Sequence, residues 1–135
     1  MFNEIISQHF MNPKNIGELK NPDFVIEISN PICGDTIHMF LKTENMRITE
    51  ISYKAYGCST SIATASIISE TLKGKTLKEI EQYSYEDVID WLGELEPAQL
   101  HCVDIGYKII KEASNPTKTA LSKKEYLVEG KGNLI

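Results

Sequence analysis

The sequence predicts an α+β domain built on a small three-stranded antiparallel sheet, and three observations point there. Apolar residues alternate with period two in three consecutive runs, they recur at helical spacing on both sides of those runs, and turn or cap residues separate the segments. The 135-residue length and 41% hydrophobic content suit one compact domain. Such a domain removes about two thirds of its unfolded surface from water on folding.

The first element is a short amphipathic helix over residues 2 to 11. Phe2, Ile5, Ile6, His9 and Phe10 share its apolar stripe, and Asn12-Pro13 ends it. His9 reads as a packed boundary histidine rather than a ligand. Residues 15 to 22 form a connection. The strands follow, with Phe24, Ile26 and Ile28 in the first, Ile37, Met39 and Leu41 in the second, and Ile51, Tyr53 and Ala55 in the third. Thr43-Glu44-Asn45-Met46 makes the hairpin turn between the last two. His38 shares the other face with Thr36 and Lys42, which predicts a solvated side chain and no ligand role.

After Cys58 the pattern becomes helical. Ser59 or Thr60 caps a helix running to Lys73, with Gly74 as its left-handed stop. Ser61, Ala63, Thr64, Ala65 and Ser66 make its first turns small, which suits close approach of another segment or a bulky cofactor, or packing against the sheet. Thr76-Leu77-Lys78-Glu79 and Ser84-Tyr85-Glu86-Asp87 are capping boxes opening two short helices, and Trp91 belongs to the core or its boundary. Pro97 precedes a last helix from about Leu100 to Ala113, whose stripe is Cys102, Ile105, Gly106, Ile109, Ile110 and Ala113. Asn115-Pro116 stops it. Residues 1 to 114 therefore form the domain. Residues 115 to 135, without clear periodicity except at Tyr126-Leu127-Val128, are expected to be a loosely attached or disordered tail.

Fourteen basic against nineteen acidic residues give a net charge of −5, which disfavours nucleic acid and anionic membrane as partners. The sequence opens without a basic segment followed by an apolar one and has no apolar run of membrane-spanning length, so a cytoplasmic protein is expected. Three cysteines is an odd number that disulfides cannot absorb. Cys33 and Cys58 also lie among loop residues, Pro31 with Gly34 and Gly57 with Ser59, rather than in apolar runs.

Those thiols carry the chemistry. Asn30-Pro31-Ile32-Cys33-Gly34-Asp35 presents a thiol and a carboxylate around a glycine turn, Gly57-Cys58-Ser59 ends the third strand, and His101-Cys102 opens the last helix. Convergence of the three segments would make an open three-thiolate site for a metal or an iron–sulfur cluster, with Asp35 and His101 competing for the fourth place. Cys102 in a helical first turn and Cys58 just before a helix are both expected to be reactive or metal-bound, since a helix N-terminus favours thiolate. The cysteines lie about 25 and about 44 residues apart, unlike the local pairs of a zinc knuckle, so the site should be labile. A thiol enzyme with Cys102 as nucleophile and His101 as base is a competing reading. It is weakened because helical neighbours point about 100° apart and no third, orienting residue is evident.

Four motifs in order, Asn12-Pro13-Lys14-Asn15-Ile16-Gly17, Asn30-Pro31-Ile32-Cys33-Gly34-Asp35, Gly57-Cys58 and His101-Cys102, give the chain a resemblance to the IscU/NifU-type iron–sulfur cluster assembly scaffolds from about Ile6 to Ala113. The resemblance implies an IscU/SufE-like sheet covered by helices. It also implies Cys33, Cys58 and Cys102 as cluster thiolates, and Asp35 and His101 as fourth ligand or as modulators of assembly and release. Its implied cargo is a 2Fe-2S cluster made from iron and sulfide, with zinc able to occupy the same ligands. The implied partners are a pyridoxal-phosphate-dependent cysteine desulfurase delivering sulfur as persulfide, an iron and electron donor, and acceptor apoproteins. The first helix and the loops around the site would dock them, and a homodimer is one state expected when a cluster is bound. Cys102, by its helix position, is the expected persulfide acceptor.

His101 beside Cys102 favours the IscU-like branch over a zinc-bound sulfur acceptor of the same family. Leu95-Glu96-Pro97-Ala98-Gln99 replaces the Leu-Pro-Pro-Val-Lys stretch of many relatives, which argues against a dedicated chaperone partner. The sequence also ends without the ferredoxin-like and C-terminal modules of long NifU proteins, and is expected to act as the scaffold domain alone.

Overall fold

The computed structural model describes residues 3 to 30 and 34 to 115. Cys33, with Pro31 and Ile32, and the expected tail from residue 116 onward lie outside the described residues.

The predicted α+β architecture is present. Strands β1 (Phe24–Asn30), β2 (Asp35–Glu44) and β3 (Arg47–Tyr56) form an antiparallel sheet in the order β1-β2-β3. Its inward rows are those of the period-two pattern: Ile26, Ile28, Ile37, Met39, Leu41, Ile51 and Tyr53 are all buried. The β2–β3 turn closes at Asn45 and Met46, both in the left-handed region (φ 52° and 64°), as a tight hairpin matching the sheet twist requires. The free edge of β3 does not stay bare. Tyr53 N–H donates to Asn15 O and Gly17 N–H to Tyr53 O, so the expected connection also blunts an exposed edge.

Helix α1 (Glu4–Met11) is capped by Asn3, whose Oδ1 accepts from the Ile6 N–H at 3.1 Å. Helix α2 (Ser59–Leu72) begins one or two residues earlier than expected, with Cys58 itself at the cap position and no capping bond from its sulfur. The reason is Gly57, whose backbone (φ 141°) turns the chain out of β3 directly into the helix. Gly74 supplies the expected left-handed stop (φ 82°). The small first turns of α2 are filled by the chain's own elements, since α1, β3 and the last helix all pack against α2. Both capping boxes form, opening α3 (Leu77–Glu81) and α4 (Tyr85–Leu92). Trp91 is half-buried in an edge-to-face contact with Tyr83, ring centroids 4.8 Å apart. A 3-10 turn at Pro97–Gln99 leads into α5 (His101–Ala113), and every residue of its predicted stripe is buried, as is Val103. None of the described helices is long and apolar enough to cross a membrane.

Two local expectations need correction. Asp35 was expected in the β1–β2 connection, but it opens β2 opposite Asn30 and is 1% exposed, because the ladder extends one pair further than the proline and glycine suggest. His38 was expected to be solvated, but it stands opposite Glu27 in the sheet, half-buried, with Nε2 3.5 Å from the Glu27 carboxylate. Burial, followed by the charge of Lys54, lowers its pKa.

Candidate functional site

Three chain segments meet at one end of the sheet, where β2 begins, β3 ends and α5 starts. On the β1–β2 side, Gly34 N–H donates to Asn30 O at 2.7 Å immediately before Asp35. Cys33 itself is outside the described residues. On the β3 side, Gly57 approaches Asp35 so closely that a Cβ would collide with its carboxylate. A glycine is needed there twice over, for the space and for its positive φ.

This contact lets one buried carboxylate organise the site. Asp35 Oδ1 accepts from the Cys58 N–H at 3.2 Å, and Oδ2 accepts from His101 Nε2–H at 2.7 Å. Cys58 Sγ, Cys102 Sγ and a ring nitrogen of His101 lie within 4.8 Å of one another, close enough to hold a single metal ion. Two soft sulfurs with an imidazole suit zinc or iron–sulfur chemistry better than a hard cation. The thiols differ in setting, since Cys58 is exposed and Cys102 is fully buried.

Asp35 and His101, expected as rivals for the fourth ligand place, are hydrogen-bonded to each other. A ring nitrogen that donates to a carboxylate offers no lone pair to a metal, so Asp35 withholds Nε2 from ligation while the bond lasts. The contact also revises the thiol-enzyme reading. His101 Nε2 does come within 3.7 Å of Cys102 Sγ, and Asp35 is the orienting residue that the sequence did not reveal. Both contacts use the same ring nitrogen, however, whereas a nucleophile–histidine–acid relay needs one nitrogen for each partner.

The lowered pKa expected of Cys102 is also corrected. Burial pushes its thiol up from 9.0 to about 11, against the pull of the Ser61 hydroxyl and with the charges of Cys58 and Asp35 adding to the rise. Alkylation of the native protein by iodoacetamide at pH 8 should therefore modify Cys58 and spare Cys102 until the chain is unfolded. Peptide mass spectrometry reads the order, and equal labelling rates in the native state would contradict the buried thiol.

Sequence reasoning missed the part played by Ser61, reading it only as a small residue. It is fully buried, with Oγ 3.4 Å from Cys58 Sγ and 3.6 Å from Cys102 Sγ. The available signal was spacing: Ser61 is three residues after Cys58 and therefore on the same face of the first turn of α2. A second polar link, Gln99 Nε2–H to Thr60 Oγ1 at 2.7 Å, ties the segment before α5 to the same turn.

Comparison with known proteins agrees with this architecture. The model of the NifU-like N terminal domain family matches residues 1–120. The chain belongs to that family. Among its relatives, the iron-sulfur cluster assembly scaffold protein IscU 1 of Archaeoglobus fulgidus is 33% identical over 113 residues, covering 84% of this chain and 74% of the relative. The scaffold protein IscU of Escherichia coli is 33% identical over 116 residues, covering 83% of this chain and 90% of the relative. The crystal structure of the N-terminal part of a nitrogen-fixing NifU-like protein from Brucella abortus superimposes with a TM-score of 0.59 at 18% identity, over 94% of this chain and 91% of that one. At that identity the likeness concerns the fold, and it supports the sheet and helix arrangement described above.

Proposed function

We propose that this chain is a non-enzymatic scaffold on which a 2Fe-2S cluster is assembled and from which it passes to acceptor apoproteins. The observation that carries the reading is the convergence of Cys58, Cys102 and His101 around the buried Asp35 carboxylate at the rim of the sheet. Family membership and the names of its relatives support it. Cys58 and Cys102 would hold the cargo as thiolates, with Cys33 as the third sulfur from the loop beside Asp35. The exposed side of Cys58 leaves room for partners to deliver sulfur and to take the product. A cysteine desulfurase is the sulfur source of this reading, an iron and electron donor the second supplier, and the cytoplasm its compartment.

The same donors also suit a tetrahedral zinc site, which makes a zinc-bound sulfur acceptor the second reading. Two cysteine sulfurs and an imidazole nitrogen converge there. Anaerobic reconstitution with iron and sulfide separates the two. The expected result is visible absorption with iron and acid-labile sulfide in equal amounts on the chain. A protein that takes up only zinc and never holds sulfide would favour the acceptor role.

A further inference from the structure

Ser61 stands between an exposed thiol and a buried one. Its hydroxyl is 3.4 Å from Cys58 Sγ and 3.6 Å from Cys102 Sγ, and the two sulfurs lie within 4.8 Å of each other. Ser61 and Cys102 are both fully removed from solvent, so bulk water cannot carry a proton to or from Cys102, whereas Cys58 is open to an incoming donor. Among the described residues the partners of this hydroxyl are the two thiols. From this arrangement we propose that sulfane sulfur arrives on Cys58 and moves inward to Cys102, and that Ser61 is the positioning residue that aligns the two sulfurs and passes the proton between them.

The proposal rests on the scaffold reading for its persulfide. A sulfur–sulfur bond of about 2.05 Å brings the outer atom of a Cys58 persulfide from the rim toward Cys102 Sγ. Cys102 Sγ attacks that outer sulfur, a new sulfur–sulfur bond forms on Cys102, and the old one breaks with its electron pair returning to Cys58 Sγ. Ser61 Oγ accepts the proton leaving Cys102 and gives its own to Cys58. One persulfide and one thiol become one thiol and one persulfide, so neither oxidant nor reductant is consumed.

The experiment uses the full chain and glutathione persulfide as donor, which removes any dependence on a desulfurase. Samples are quenched by alkylation over time, and mass spectrometry locates the added sulfur on each cysteine. Wild type should load Cys58 first and Cys102 afterwards. Ser61→Ala should load Cys58 at the wild-type rate but fill Cys102 about a hundredfold more slowly, the low end of what a positioned proton-transfer group contributes. Ser61→Thr, which keeps the hydroxyl, should recover much of that loss, and a circular dichroism spectrum checks that each variant is folded. A purely structural role for Ser61 would slow both cysteines together and would not be rescued by the hydroxyl. The proposal is overturned if Cys102 of Ser61→Ala fills at the wild-type rate, if Cys58→Ser fills Cys102 as fast as wild type, or if wild-type Cys58 takes up no sulfur. Reconstitution from iron and free sulfide bypasses the relay. Failure of wild type there retires the scaffold reading, while the sulfur mapping judges the relay on its own.

Discussion

Serine at Cys58 or at Cys102 abolishes stable cluster assembly, with iron and sulfide on the chain falling to background after anaerobic reconstitution. Each substitution exchanges a soft sulfur donor that metal binding can deprotonate for a hard hydroxyl oxygen that ionises far less readily. The two positions lie on different elements, at the start of α2 and in the first turn of α5, so neither can stand in for the other without moving a helix. The cost to the fold is small at the exposed Cys58, whereas at the buried Cys102 the serine hydroxyl must find a hydrogen-bond partner. The same loss is expected for Cys33→Ser if its loop supplies the third thiolate. Visible absorption, metal and sulfide analysis and a far-ultraviolet dichroism spectrum form the measurement. A serine variant that reconstitutes with normal yield and lifetime would remove that cysteine from the ligand set.

The sequence was most legible where one physical rule decided the outcome. Period-two alternation placed Ile26, Met39 and Tyr53 on the buried face, and the boxes at Thr76 and Ser84 opened the helices they predicted, because caps and alternation are local. The stripe from Cys102 to Ala113 was equally clear. Contacts made across long separations were harder to read. Asp35 looked like a loop carboxylate because Pro31 and Gly34 surround it, yet strand register buries it against Gly57. Its bond to His101 joins residues 66 positions apart, and no local pattern records such a pairing. Cys102 was expected to be acidic from its place in the helix, but the same stripe that placed it there also buries it. Desolvation is the largest influence on the thiol at that depth.

Replacing Asp35 with alanine should make the cluster stay longer and leave more slowly. The carboxylate occupies His101 Nε2 and the Cys58 N–H together, and in that arrangement neither the imidazole nor the carboxylate is fully committed to the cargo. Alanine frees Nε2 next to two thiolates, where a borderline-soft nitrogen is a better partner for iron than a carboxylate oxygen. It also removes a negative charge whose repulsion of the thiolates helps the site to open. The lifetime of the cluster in air should rise about tenfold, the lower end of the scale on which outer partners of metal ligands act. Transfer to an apo-ferredoxin should slow in proportion. The lost bonds cost about 1–3 kcal/mol of fold stability, so denaturant unfolding accompanies the assay. Asp35→Asn separates the two causes, because an amide oxygen can still accept from His101 while the charge is gone. If withholding the imidazole is what matters, Asp35→Asn behaves like wild type. If charge is what matters, it behaves like Asp35→Ala. A cluster lost faster from Asp35→Ala, with transfer unchanged, would make Asp35 a stabilising ligand and reverse the role given to it here.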